Sequence, residues 1–142
     1  MDLGADRNIT QRKSVIMVDT PDTIISNSYK LRPDDDRKFS VMKSRPLLEN
    51  VLKDHLEEFE YDAVGAGDKC KEIVDDVLTT AKTLECDRYR FVSHAAMFTN
   101  VGQTVKSVGR FLWDQTTDNH VTCKYVGSNF SVVLTLYAVY FE

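Results

Sequence analysis

Two stretches of the chain place apolar residues three and four positions apart, the spacing of one face of an α-helix. The first predicted helix covers residues 44–59, with Ser44 as its N-cap and Pro46 in its first turn, where the missing amide costs no intrahelical bond. The second covers residues 68–85, after a break at Gly65 and Gly67, with Asp68 as its N-cap. The two apolar stripes are formed by Leu48, Val51, Leu52, Leu56 and Phe59, and by Cys70, Ile73, Val74, Val77, Leu78, Ala81 and Leu84.

Beyond Asp87 the apolar period drops to two. Four runs rich in Val, Tyr, Phe and Thr cover residues 89–99, 105–113, 120–126 and 130–141, and polar turn residues separate them. These runs predict four antiparallel strands. Two helices followed by four strands predict an α+β fold, in which both helices pack on one face of the sheet.

The segment before the helices has no clear period. Residues 1–26 mix single apolar residues with charged and polar ones, so we expect a flexible leader, followed by one domain over residues 27–142. A short extended stretch is expected before Pro33, and a polar turn over residues 34–36.

Composition narrows the possible classes of function. The chain has 142 residues, 42% of them hydrophobic and 28% charged, with a formal net charge of -4. This charge argues against nucleic acid as the main partner, because phosphate binding needs a concentrated basic face. No apolar stretch approaches membrane-spanning length and no secretory signal is visible, so we expect a cytoplasmic protein with free cysteines and no membrane partner.

Candidate catalytic and metal-binding groups are scattered. The three histidines, His55, His94 and His120, fall on a helix, a strand and a turn, without an activated nucleophile beside them. His120 and Cys123 resemble half a zinc site, but two further ligands are absent nearby. Residues 114–118 carry oxygen side chains like the start of a calcium loop, but a calcium loop needs Gly next, where this chain has Asn. We therefore expect no enzyme activity, no metal and no cofactor.

The second predicted strand is the most suggestive candidate site. Gly109 lies in its interior, where glycine is typical of a close approach by another backbone. An exposed edge strand can recruit an extended peptide through its free amide and carbonyl groups. The alternative is that Gly109 leaves space for a large neighbouring side chain. The sequence pattern favours neither interpretation.

Several segments resemble the Tctex1 family of dynein light chains, in particular its Tctex1 domain-containing branch. The resemblance covers roughly residues 27–142. It rests on the order of elements and on residues 27–33, Phe39, Tyr61 and residues 88–90, 110–114, 117–119 and 136–142.

The resemblance implies a non-catalytic dynein light chain in the cytoplasm and cytoskeleton, with a cilium or flagellar axoneme as the favoured setting. It implies a homodimer, or a heterodimer with a related light chain, that exchanges the second strand. A segment of dynein intermediate chain would then add as a further β-strand, and cargo proteins are further expected partners. The residues implied in dimerisation and partner binding are Val105, Ser107, Val108, Gly109, Arg110, Phe111 and Trp113.

One position departs from the family pattern. Members commonly have Cys where this chain has Phe111, so the larger ring is expected to narrow the groove or repack the dimer seam. The alternative function is a dynein-independent adaptor that binds receptor or signalling proteins through the same groove or the leader.

Overall fold

Two helices pack on one face of a four-stranded antiparallel sheet in the structure, a computed structural model that describes residues 12–18 and 29–141. The predicted α+β class is confirmed. The elements are β1 (Arg12–Val18), a 3-10 turn (Asp35–Arg37), α1 (Val41–Leu56), α2 (Ala66–Lys82), β2 (Tyr89–Thr99), β3 (Asn119–Val126) and β4 (Phe130–Tyr140). In this part of the chain, no helix combines the length and apolarity needed to cross a bilayer.

The strands lie in the order β1-β2-β4-β3, and every neighbouring pair is antiparallel. The long strands β2 and β4 form the centre, whereas β1 and β3 form the two edges. Ser93 lies between Met17 on one side and Leu136 on the other, and Leu136 in turn pairs with Val121. This register fixes which side chains share each face of the sheet.

Both helices begin earlier than predicted. Ser40 caps α1, because its side-chain oxygen accepts a hydrogen bond from the Lys43 amide at 3.4 Å. Ser44, the predicted cap, is instead fully buried inside the helix, where its hydroxyl donates to the Ser40 carbonyl. Gly65 occupies the N-cap position of α2, and Asp68, the predicted cap, lies within the first turn.

The core lies between the helices and the sheet. Its largest fully buried side chains include Leu48 and Leu52 from α1, Ile73 from α2, Met97 from β2 and Leu134 from β4. The opposite surface of the sheet, here called the far face, carries the alternate strand positions. By register these are residues 12, 14, 16 and 18 of β1, even residues 90–98 of β2, odd residues 131–139 of β4 and even residues 120–126 of β3.

The identity of the fourth strand was predicted incorrectly. Residues 103–113 pair with no strand in the part of the chain that the structure describes, and β1 supplies the fourth strand instead. The prediction of a flexible leader is therefore wrong for residues 12–18, whose Val15 and Met17 pack against the core. The run from Val15 to Val18 is apolar at every position and so shows neither helical nor strand periodicity. The other leader residues, 1–11 and 19–26, lie outside the described residues, as do residues 24–28 of the predicted extended stretch.

Candidate partner-binding site

Residues 103–113, here called the crossing segment, connect β2 to β3 along the chain and run over the far face of the sheet. Its odd-numbered residues Val105, Ser107, Gly109 and Phe111 line a groove against the sheet. The even-numbered residues face outward, with Val108 79% exposed and Leu112 100% exposed. The segment thus keeps the alternation of a β-strand, although none of its residues belongs to a strand ladder.

The space between the crossing segment and the sheet is a groove of about 390 Å³. Its sheet side has mixed polarity, and two of its hydroxyls, on Thr122 and Thr135, lie directly opposite each other at 3.1 Å. A groove of this kind can combine apolar pockets with a few polar contacts, which is typical of sites that select side chains. The sheet side is formed by Phe98, His120, Thr122, Lys124, Val133, Thr135 and Tyr137.

Four aromatic rings close one end of the groove. The rings of Phe111 and Trp113 stack with centroids 4.4 Å apart and planes 10° apart. Phe111 also contacts His120 at 5.1 Å and Tyr137 at 5.4 Å between ring centroids. Phe111 therefore attaches the crossing segment to β3 and β4.

Gly109 lies against the ring of Phe111. A Cβ atom at Gly109 would be 2.5 Å from Cζ of Phe111, closer than side chains approach. The ring has limited room to move because Trp113 stacks on it. Of the two interpretations of Gly109, this structure supports the second, in which glycine leaves space for a large neighbour.

The N-terminal end of the crossing segment is held by a polar turn. The Asn100 amide donates to the Asn129 carbonyl at 2.9 Å, and Ser131 donates to the Asn100 side chain at 2.8 Å. Gly102 follows with a φ of 81°, a left-handed conformation that favours glycine. The side-chain amide of Gln103 accepts from the Val101 amide at 2.8 Å.

The C-terminal end is held by Asp118, a buried carboxylate that the sequence indicated only as part of a turn. It accepts hydrogen bonds from the Asp114 amide at 3.1 Å and from the Tyr140 amide at 2.8 Å, and so joins the end of the segment to β4. Asp114 accepts from the hydroxyl and amide of Thr116, and these bonds lower the pKa of its carboxyl. Asp114 thus bonds within its own loop, whereas Asp118 also joins that loop to β4.

The remaining chemical candidates do not converge. His55 bridges the helices through Asp76 at 2.8 Å, whereas His94 and His120 lie on different strands of the far face. Burial and the nearby charge of Arg12 lower the pKa of His94. Cys123 points into the core and His120 to the far face, because an odd separation along a strand places side chains on opposite faces. They cannot share a metal ion.

The outer edge of β3 is open within the described part of the chain, because β3 ends the strand order. Arg45 of α1 donates to the Thr122 carbonyl at 2.9 Å. Neither Arg45 nor the sheet side of the groove was predicted from the sequence. The period-two pattern of β3 and β4 could have predicted which side chains line the groove. The contact of Arg45 could not be predicted in this way, because its partner lies 77 positions away in the sequence.

The comparisons with known proteins all indicate the same family. The sequence profile of the Tctex-1 family matches residues 38–139. This range contains both helices, β2, β3, almost all of β4 and the crossing segment, but not β1.

Individual relatives are distant in sequence. The chain is 25% identical over 136 residues to dynein light chain Tctex-type protein 2B of Danio rerio, covering 96% of the chain and 88% of the relative. It is 24% identical over 117 residues to dynein light chain Tctex-type protein 2 of Homo sapiens, covering 82% of the chain. It is 27% identical over 115 residues to dynein light chain Tctex-type 4 of Mus musculus, covering 81% of the chain. The alignments span only 58% of the human relative and 52% of the mouse relative.

Proposed function

The chain belongs to the Tctex-1 family, and from this we propose that it is a non-catalytic dynein light chain that dimerises and binds dynein intermediate chain by β-strand addition. In this role it supports motor assembly and cargo attachment in microtubule-based movement, with a cilium or flagellum as the favoured setting. Two coupled copies would hold two intermediate-chain segments, and linkage strengthens weak single contacts through effective concentration.

The observation that carries the proposal is that the crossing segment is strand-like but unpaired among the described residues. It alternates like a strand, and no backbone hydrogen bond joins residues 104–112 to any other described residue. The sheet ends at β1 and β3, and neither outer edge pairs with another described strand, although Arg45 donates to the Thr122 carbonyl of β3. A free strand-like segment and a free edge are the two parts that exchange between copies requires.

Exchange also explains how a further strand would add. When the crossing segment pairs with a sheet edge of a partner copy, one of its own edges faces that copy and the other stays open. An extended intermediate-chain segment would add at this open edge, where main-chain hydrogen bonds supply affinity. The side chains of Val105, Ser107, Val108, Gly109, Arg110, Phe111 and Trp113 would then line the dimer seam or the peptide pockets and supply selectivity.

The two pairing directions can be tested separately. Amides of consecutive strand residues point to opposite edges, so Ser107→Pro and Val108→Pro each remove a donor from a different edge of the segment. Neither amide bonds to another described residue in this structure, so the single chain should tolerate both changes. Ser107→Ala and Val108→Ala are the matched controls, because they keep the amides.

Sedimentation with and without an intermediate-chain peptide gives the readout. We expect one proline variant to be monomeric, and the other to stay dimeric while its peptide affinity falls at least about tenfold. Both alanine controls should dimerise and bind. If both proline variants dimerise and bind the peptide like their controls, strand exchange through this segment is wrong. A dimer that binds no intermediate-chain peptide would favour the adaptor alternative.

A further inference from the structure

A pocket of about 400 Å³ opens at the end of the sheet where β2 begins and β4 ends. Three segments meet there, namely the chain before α1, the loop between α2 and β2, and the last residue of β4. None of its lining residues belongs to the crossing segment or to the groove beneath that segment. The pocket is lined by Lys30, Pro33, Asp34, Arg37, Asp87, Arg88 and Tyr140.

The backbone around this pocket is strained. Among the described residues other than glycine, a positive φ occurs only at Tyr29, Glu85 and Arg88, with values of 56°, 54° and 60°. Arg88 lines the pocket, Tyr29 precedes the lining residue Lys30, and the Glu85 carbonyl accepts a hydrogen bond from Arg37 at 3.4 Å. Left-handed backbone is unfavourable for residues that carry a side chain, and such strain clusters at ligand-binding sites.

Hydrogen bonds between the three segments hold the pocket walls in place. The Tyr140 hydroxyl donates to the Lys30 carbonyl at 2.8 Å, and the Phe141 amide donates to the Arg88 carbonyl at 2.9 Å. These bonds use backbone carbonyls, so the charged groups of Lys30 and Arg88 take no part in them. The walls are therefore arranged before any ligand binds, which lowers the entropic cost of binding.

Two arginine side chains give the pocket its main positive charge. The Lys30 ammonium is already paired with the Asp34 carboxylate at 2.6 Å. Arg37 has no close ion pair among the described residues, because its nearest carboxylates lie 3.9 Å from its nitrogens. Arg88 adds a second guanidinium to the pocket wall. Guanidinium groups bind phosphate oxygens through paired N–H donors, so these two residues favour a phosphate group.

One carboxylate in the pocket narrows the class of ligand further. Asp87 lines the pocket and forms no hydrogen bond or ion pair with another described residue. A free phosphate ion brings only negative charge and is repelled by this carboxylate. A phosphorylated serine in a peptide also brings backbone N–H groups, which a carboxylate can accept. The volume of the pocket leaves room for this backbone beside the phosphate.

We propose that this pocket binds a phosphorylated serine or threonine of a partner protein. The guanidinium groups of Arg37 and Arg88 hold the phosphate, and Asp87 accepts a hydrogen bond from a backbone amide next to the phosphorylated residue. Phosphorylation of the partner then controls its attachment to this chain. The site goes beyond the proposed intermediate-chain contact, because it uses other residues and a different chemical group.

The test uses the full chain and three probes. These are a blocked glycine–phosphoserine–glycine peptide, the same peptide without the phosphate, and inorganic phosphate. Arg37→Gln removes one guanidinium from the pocket. Arg45→Gln is the matched control, because Arg45 contacts the Thr122 carbonyl of β3 and does not line the pocket. Asp87→Ala removes the carboxylate that distinguishes a peptide from a free ion.

We expect the phosphorylated peptide to bind at least about tenfold more tightly than the unphosphorylated one in an NMR titration. Arg37→Gln should weaken this binding at least about tenfold, whereas Arg45→Gln should leave it unchanged. Asp87→Ala should lower the ratio of peptide affinity to phosphate affinity at least about fivefold. Both ligands gain from the loss of the negative charge, but only the peptide loses a hydrogen bond.

Equal binding of the two peptides, or binding that survives Arg37→Gln, would overturn the proposal. An affinity ratio unchanged by Asp87→Ala would show a general anion pocket and overturn the assignment to a peptide. If a variant does not fold, the unmodified chain still gives an answer. The phosphorylated peptide should then shift the amide signals of residues 34–37 and 85–88 but not those of residues 119–126, and the reverse pattern would contradict the site.

Intermediate-chain binding provides the separate readout for the proposed function. It should be the same in Arg37→Gln, Asp87→Ala and the unmodified chain, because these residues lie outside the crossing segment. Loss of phosphopeptide binding with intermediate-chain binding intact would assign the two activities to different sites. A fall in both activities together would contradict the independence of this pocket.

Discussion

At the scale of single residues, the candidate site depends on packing between near neighbours in the chain. Phe111 stacks on Trp113, contacts the rings of His120 and Tyr137, and occupies the space that a Cβ at Gly109 would need. A large ring at position 111 and the absence of a side chain at position 109 therefore form a matched pair. The ring of Phe111 therefore shapes the crossing segment itself as well as the groove.

Gly109→Ala should displace the Phe111 ring and lose stacking worth about 1 kcal/mol of unfolding free energy. Trp113 is the only tryptophan, so its fluorescence reports this stacking directly. The loss should largely disappear in a Phe111→Leu background. Gly67→Ala is the control, because no atom lies within 4 Å of the place that its Cβ would take and alanine favours the helix. An equal loss in both backgrounds would contradict the matched pair.

The sequence predicted individual residues less well than the elements that contain them. Trp113 and Gly109 were recognised as unusual from their types alone. The role of Asp118 depends on the Tyr140 amide, which is 22 positions away, and no local pattern reports such a contact. Ser40 was missed as a helix cap because Ser44 offered the same chemistry one turn later.

At the scale of elements, β1 forms the fourth strand, which the sequence predicted for the crossing segment, and the crossing segment pairs with no described strand. Five elements with clear periodicity, α1, α2, β2, β3 and β4, were found close to their predicted positions. Residues 105–113 have equally good strand periodicity but pair with no described strand, whereas β1 lacks periodicity but pairs with β2. Periodicity reports which side chains can share a face, and pairing depends on an available edge.

The crossing segment should exchange its amide hydrogens quickly in a monomeric sample. We expect residues 104–112 to exchange at least about a hundredfold faster than the β4 residues 132–138, because no backbone hydrogen bond joins the segment to another described residue. At concentrations where the chain dimerises, protection should appear in the segment if strands exchange. Hydrogen exchange read by NMR measures both states. Strong protection in the monomer would contradict the described conformation.

At the scale of the whole molecule, stability depends on a core that includes a buried thiol. Cys70 of α2 is 0% exposed, and burial raises the pKa of its thiol from 9.0 to about 11. Between these values the unfolded chain releases the proton while the folded chain keeps it. The contribution of Cys70 to the free energy of unfolding is therefore fully present below pH 9 and falls as the pH rises toward 11.

The unfolding free energy should fall by about 2 kcal/mol between pH 9 and pH 11 through Cys70 alone. Cys70→Ala should flatten the pH dependence by this amount, as measured by urea unfolding at each pH. Val77→Ala also creates space in the core of α2 but removes no titrating group, so it should lower stability equally at every pH. A wild-type slope in Cys70→Ala would contradict the assignment.

The unequal edges of the sheet have a consequence for assembly size. A sheet with two open edges can add copies at both ends and grow into fibres. Here β1 covers seven of the eleven residues of β2 and itself forms the outer edge on that side of the sheet. This edge is shorter than the one that it covers and begins with Arg12 and Lys13, and short, charged edge strands pair poorly with further copies. β1 should therefore disfavour open-ended growth on its side of the sheet.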